Sequence, residues 1–346
     1  MPVFKALTIT ERKQKTPLTL FDFEEPQLGE GEFLVENVAV AQNPVDIKQL
    51  DHDVRIPSIP WTNGGDIAGK VYKVGPGVAE EDIKVGDRVI SFVSQKTARH
   101  GGYQTHSITD ITRTVKLPDS YTFEEGSTIP LTFTTAGAGV MHGLKITLPS
   151  PGDVLPLKPR GEPLLVWGGS SSVGSYAIQL ASLAGFEVIA TASKAHHDYV
   201  KSLGAQHVFD YHDPNVIEQI RQVSGDKLSL VYDTISVNET AKQCIASITS
   251  PTGGLIAIIR PVVDPALSTP TIKIIPTGGL KAFEFPEIGA ALFGLLQTLL
   301  NRKLLKPNPV KVVDGGLNGV NDGFDLGRKG KISGEKLVYR IADTKF

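Results

Sequence analysis

The chain has 346 residues, more than a single hydrophobic core usually serves, which predicts two domains. Its formal net charge of -2, with 40% hydrophobic and 21% charged residues, excludes a nucleic-acid binder driven by phosphate neutralisation and points to a small-molecule partner. The lone Cys244 excludes an internal disulfide and a thiolate-based structural zinc site, so a reducing compartment, the cytoplasm, is expected.

The opening stretch "MPVFKALTITERKQKTPLTLF" lacks a continuous apolar run, and acidic residues follow closely, so no targeting segment is expected. Short alternating runs come next, "EFLVENVAV", "GKVYKVG", "DRVISFV" and "TRTVKL", separated by Gly-, Pro- and Asp-rich turns. They predict a β-rich region. The Pro/Gly density of "LPSPGDVLPLKPRGEP" at 148–163 marks a connecting loop. Beyond it strands and helices alternate: "PLLVW", a helical run, "FEVIATA", "HHDYVKSLGA", "HVFDY", "NVIEQIRQVSG", "LSLVYDTI" and "GGLIAIIRP". That order predicts an α/β fold with a doubly wound parallel sheet. The apolar "IGAALFGLLQTLL" at 288–300 is too short to span a bilayer and reads as a buried or subunit-facing helix. The final "KISGEKLVYRIADTKF" returns to strand character. Residues 1–130 and 306–346 are therefore expected to form one domain, with 131–305 inserted as the other.

Three chemistries compete for the turn "WGGSSSVGSY" at 167–176. A hydrolase elbow needs serine between two glycines in G-x-S-x-G, and that spacing is absent. A phosphate-binding Walker loop needs lysine after its second glycine, where Ser175 and Tyr176 stand. The dinucleotide fingerprint is met as Gly169-x-Ser171-x-x-Gly174, with serine replacing the middle glycine. Val173, Ala177, Leu180, Ala181 and Ala184 then fall on one helical face, as a helix packed on a sheet requires. The next strand ends in Thr191, Ala192, Ser193 and Lys194, where NAD-binding proteins place a carboxylate for the ribose 2′-hydroxyl. A hydroxyl and a cation suit the 2′-phosphate of NADP(H) instead.

"NPVD" at 43–46, "GGDIAGKVYKVGPGV" at 64–78, "KVGDRV" at 84–89, "GGYQTH" at 101–106, "LGAQHVFDYHD" at 203–213 and "GKISGEKLVYRI" at 330–341 together resemble the medium-chain dehydrogenase/reductase superfamily over nearly the whole chain. The similarity is to its zinc-free branch, which contains fungal trans-acting enoyl reductases and ToxD-like reductases. It implies a Rossmann NADP-binding domain inserted in a β-rich GroES-like catalytic domain. The cysteine and His-Glu positions of the zinc-dependent members are taken by "NPVD" and "GGD", so no metal is expected; His52, His100, His106 and His142 stand isolated.

By the same resemblance, Ser171, Ser172 and Val173 meet the pyrophosphate. Ser193, Lys194 and His196 surround the 2′-phosphate, and Tyr211 lies along the adenosine ribose. Ile258 and Ile259 reach the nicotinamide side and Ser333 closes the site. Asp46 and Lys48 of "NPVDIK" are implied cofactor contacts, with Asn43 and Asp46 also expected to fix their loop. Lys48 and Thr135 of "LTFTTAGAG" are the implied catalytic groups, although Thr134 and Thr135 are also suited to capping a helix. The implied reaction is hydride transfer to the carbon β to a carbonyl, with donors on the enolate oxygen. A zinc-independent aldehyde reductase and an NADPH-binding sensor without turnover remain as alternatives. The acceptor is expected in a cleft bordered by 51–61, 94–100 and 280–286, with Trp61, Phe283 and Phe285 as aromatic walls. It is a small molecule or a carrier-bound acyl group, and the protein a monomer or homodimer.

Overall fold

In a computed structural model that describes residues 4–93, 97–261 and 263–346, apart from the side chain at 98, the chain divides into two compact units. One comprises the residues up to Leu131 together with Leu299–Phe346, the other Thr132–Thr298. Part of the expected cleft border at 94–100, namely 94–96, lies outside the described residues.

The first unit opens with the antiparallel hairpin β1 (Phe4–Thr8) and β2 (Thr19–Phe23). It continues through β3 (Glu32–Ala41), β4 (Asp66–Val74), β5 (Arg88–Phe92), β6 (His106–Asp110) and β7 (Thr114–Lys116). In the second unit follow β8 (Pro163–Trp167), β9 (Glu187–Thr191), β10 (His207–Phe209), β11 (Leu230–Asp233), β12 (Gly254–Ile258) and β13 (Ile272–Pro276). The chain then returns to the first unit with β14 (Val310–Val312) and β15 (Lys336–Arg340).

The first unit's larger sheet runs β14-β15-β3-β4-β5-β7, with β6 also paired to β3. β15 lies antiparallel on β3, Val338 facing Ala41. Its core holds Phe33, Val35, Ile67 and Tyr339 from the strands, with Trp61 and Tyr103 from the connections and Phe324 from the helix Val320–Arg328.

The second unit is a wholly parallel sheet in the order β10-β9-β8-β11-β12-β13. β8, β9 and β10 step one way and β11, β12 and β13 the other, so the order reverses between β8 and β11. This is the topological switch point at which open α/β sheets bind ligands outside the carboxyl ends of their strands. Leu165, Trp167, Ile189, Val231, Ile256 and Ile258 fill the core on one face. The central strands β8 and β12 read as unbroken apolar runs because parallel sheets are covered on both faces, whereas the edge strands β10 and β13 are at most half-buried. No described helix is long and apolar enough to cross a membrane.

Candidate functional site

Four segments leave the carboxyl edge of the parallel sheet side by side: the glycine turn after β8, Ala192–His196 after β9, Thr234–Ser236 after β11 and Ile259–Arg260 after β12. The turn has the shape glycine alone permits. Gly168 has φ +83°, and a Cβ on Gly174 would come within 2.2 Å of the Gly168 carbonyl oxygen. At Gly169 a Cβ would press on Ile178, Ala190 and Val200 at 3.0–3.3 Å, so the turn lies hard against the sheet.

Ser171 is the N-cap of the helix Ser172–Leu183, its Oγ accepting from the Gly174 N–H at 2.9 Å. That hydroxyl also lies 2.9 Å from Thr234 Oγ1 across the switch point. The Ser171 side chain is thus committed to the turn itself. The first-turn N–H groups of Ser172 and Val173 have no intrahelical acceptor and sit where the helix dipole favours an anion. This donor set, with glycines where a Cβ would collide, fits the diphosphate of a dinucleotide.

Beside it, Thr191 faces Phe209 across the β9–β10 pairing, and the Ala192 N–H donates to the Phe209 carbonyl at 3.0 Å. Ser193 and His196 are half-buried and Lys194 exposed. Tyr211, 42% exposed, has its ring centroid 4.1 Å from that of His212. Asp210 is occupied by His212, accepting from its backbone N–H at 3.0 Å and pairing with Nδ1 at 2.8 Å. These bonds, with the charge of Lys194 farther off, hold the Asp210 carboxyl below its ordinary range.

On the other side of the turn Ile258 is 1% exposed and belongs to the core, so its contribution at the edge is backbone. Ile259 is half-buried, and its N–H donates to Ser236 Oγ at 2.8 Å. Thr135, on the helix Pro130–Ala138, is 7% exposed and its carbonyl accepts from Tyr232 Oη at 2.8 Å. Sequence reading passed over Asp233. Its carboxylate, buried at the end of β11, accepts from Ile235 N–H at 3.0 Å, Ser236 N–H at 2.8 Å and Thr240 Oγ1 at 2.6 Å. Burial nevertheless pushes its carboxyl up. The "DTIS" spacing is an Asx-turn signal that reveals the loop but not its neighbours.

In the first unit Asp46 and Lys48 sit on the helix Pro44–His52, Lys48 half-buried. Asp46 is fully buried: Oδ2 accepts from the Asn43 N–H at 2.8 Å and from Tyr103 Oη at 2.7 Å. Among the described residues, Oδ1 has no hydrogen-bond donor. Desolvation raises this carboxyl to about 7. The Asp46 carboxylate is therefore turned inward, fixing the loop. Close by, Asp66 is wholly buried with Lys336 Nζ at 2.7 Å, and also accepts from Asn43 Nδ2 at 2.9 Å and the Leu131 N–H at 2.6 Å. The pair ties the "NPVD" helix, β4 and β15 together. Ser333 is exposed just ahead of β15.

The family model described as "Alcohol dehydrogenase GroES-like domain" matches residues 29–119, and that described as "Zinc-binding dehydrogenase" matches 172–259. A trans-enoyl reductase of Aspergillus niger is 34% identical, with 89% of each chain covered. Another trans-enoyl reductase, of Gibberella fujikuroi, is 33% identical over 91% of this chain and 92% of its own. The chain belongs to the trans-enoyl reductase group of medium-chain dehydrogenases/reductases.

This enoyl reductase-like oxidoreductase shares its fold with the solved structure of the CurK enoyl reductase, with a TM-score of 0.80 and 24% identity over 97% of this chain and 99% of the other. The fold assigns the reductase a nicotinamide cofactor. Among its described residues no group of three or more His, Cys, Asp or Glu is arranged to hold a metal ion. His100 pairs instead with Glu32 at 3.3 Å, and His142 stacks on Phe285 with centroids 4.8 Å apart. Trp61 is buried in the first unit's core. It also lines a 260 Å³ cavity beside β1 and β2, to which none of the expected cofactor or catalytic residues contributes.

Proposed function

We propose that the reductase uses NADPH to reduce the carbon–carbon double bond of α,β-unsaturated carbonyl or enoyl substrates, without zinc. The observation that carries the cofactor choice is the end of β9. No carboxylate occupies the ribose position; Ser193 and Lys194 do, and the nearby Asp210 is engaged by His212. The trans-enoyl reductase relatives support the double bond as the target.

When bound, the nicotinamide supplies the hydride. The chain's own part is to bind and orient. Ser172 and Val173 offer N–H groups to the diphosphate, and Gly169 and Gly174 let it approach the backbone. Ser193, Lys194 and His196 surround the 2′-phosphate, Lys194 supplying the cation, Tyr211 offers a ring to the adenosine ribose, and Ile259 bounds the nicotinamide side. Lys48 and the Thr135 hydroxyl are assigned to the reacting end, where a cation and a hydroxyl stabilise developing negative charge on the carbonyl oxygen. Buried Cys244 is in keeping with a cytoplasmic enzyme.

The test is NADPH oxidation, with and without a chelator, against unsaturated ketones and thioesters alongside simple aldehydes. Saturated carbonyl products formed in the presence of chelator are expected. Alcohols as products would make the protein an aldehyde reductase, and loss of activity with chelator would refute zinc independence. Lys194→Ala is expected to raise the KM for NADPH at least tenfold and leave that for NADH unchanged; equal effects would refute the 2′-phosphate assignment.

A further inference from the structure

The loop after β11 has two features that a simple strand-to-helix connection does not need. Ser236 adopts φ +59°, a left-handed conformation that residues other than Gly, Asn and Asp avoid, and such outliers persist only where the surroundings impose them. Here Asp233 does the imposing. Its Oδ1 accepts from the N–H groups of Ile235 and Ser236, while its backbone carbonyl accepts from Ser236 Oγ at 2.8 Å.

The second feature is where the loop's remaining hydrogen bonds go. Toward β12, Ser236 Oγ accepts from the Ile259 N–H at 2.8 Å. Toward β8, the Thr234 N–H donates to the Trp167 carbonyl at 3.1 Å, and Thr234 Oγ1 also donates there at 2.8 Å. With its proton so used, Thr234 Oγ1 is left to accept from Ser171 Oγ at 2.9 Å, which in turn accepts from the Gly174 N–H. One direction of donation satisfies every partner. A single buried carboxylate thus fixes a chain of bonds from the glycine turn, across the switch point, to the end of β12.

We propose that Asp233 is a positioning residue: it sets the spacing between the N–H groups that receive the cofactor's diphosphate and the strand end that bounds its nicotinamide. This rests on the reading of the glycine turn as the diphosphate cradle. Because both segments serve the part common to NADPH and NADH, loss of the carboxylate weakens both cofactors equally. Loss of Lys194 weakens only one.

The test compares dissociation constants for NADPH and NADH, by fluorescence titration, with kcat in wild type, Asp233→Ala, Asp233→Asn, Thr234→Val and Gly174→Ala. Asparagine preserves the lock. Its oxygen serves the two N–H groups and its NH2 donates to Thr240 Oγ1, whose own proton turns to the Val237 carbonyl at 3.0 Å. The expected result is at least a tenfold loss of affinity for both cofactors and a lower kcat in Asp233→Ala, with Asp233→Asn within about threefold of wild type. Thr234→Val removes the hydroxyl's bonds to Ser171 and to the Trp167 and Gly168 carbonyls, each of which keeps a backbone N–H donor; it is expected to weaken both cofactors about fivefold while still folding cooperatively, and decides the matter if Asp233→Ala does not fold. Should Asp233→Ala and Thr234→Val bind as wild type while Gly174→Ala does not, the positioning role is overturned and the cradle stands. If Gly174→Ala also binds as wild type, the cradle reading fails and takes the proposal with it.

Discussion

Replacing Asp46 by Asn should change how the stability of the reductase depends on pH, with a sign and size that the surroundings of the carboxyl dictate. The group is wholly buried, and burial raises it from 3.8 to about 7 against the opposing pull of the Asn43 N–H and Tyr103 hydroxyl. Below the unfolded value both states carry the proton. Between 3.8 and about 7 the folded state keeps a proton that the unfolded state releases, so stability falls as pH rises and then levels off. At about 1.4 kcal/mol per pH unit across that window, the loss is about 4 kcal/mol, on the order of 10 °C in Tm. In Asp46→Asn the side-chain oxygen keeps both donors and the NH2 replaces the oxygen that has none. Urea unfolding of wild type and variant from pH 4 to 8 reads the difference, in which the other titrating groups cancel. The variant should gain on wild type steadily up to about pH 7 and be the more stable at pH 8. A difference constant over the range would refute the reasoning.

Lys336→Met leaves the Asp66 carboxylate buried without its cation and should cost about 3–5 kcal/mol in urea unfolding, most of it restored by adding Asp66→Asn. Tyr232→Phe removes the buried hydrogen bond to the Thr135 carbonyl and should cost about 0.5–1.5 kcal/mol, with kcat falling more than cofactor affinity in steady-state assays. Gly323→Ala puts a Cβ 1.8 Å from Tyr339 Oη and should destabilise by about 3 kcal/mol or more by the same unfolding measurement; an unchanged midpoint would contradict the packing.

Periodicity made five of the parallel sheet's six strands legible because they are short apolar-rich runs, and the glycine turn because its spacing is local; β13 went unread because Lys273 interrupts it and none of its residues is fully buried. The helix Val320–Arg328 escaped notice for a physical reason. It carries Gly323 and Gly327, poor helix formers, where Tyr339 and Ile47 leave no room for a side chain. The β1–β2 hairpin was hidden because β2 is largely exposed and lacks an alternating pattern. At the site, spacing and resemblance pointed Ser171 at the pyrophosphate and Ser193 and Lys194 at the 2′-phosphate, but gave no hydrogen-bond partners within the chain. That the Ser171 hydroxyl is a cap linked to Thr234, or that Asp46 is turned inward on Tyr103, depends on partners 63 and 57 residues away. Such contacts leave no mark on local spacing.

The return of β15 to the sheet begun by β3 also bears on how the molecule is made. The second unit is one continuous stretch, and all its strands are available once synthesis has passed Thr298. The first unit must wait: Asp66 meets Lys336 only after 270 further residues have been made, and β3 keeps an open edge until Val338 arrives opposite Ala41. On the ribosome the inserted unit is therefore complete before the unit that contains it. Loss of the last few residues should strike the part of the chain made first.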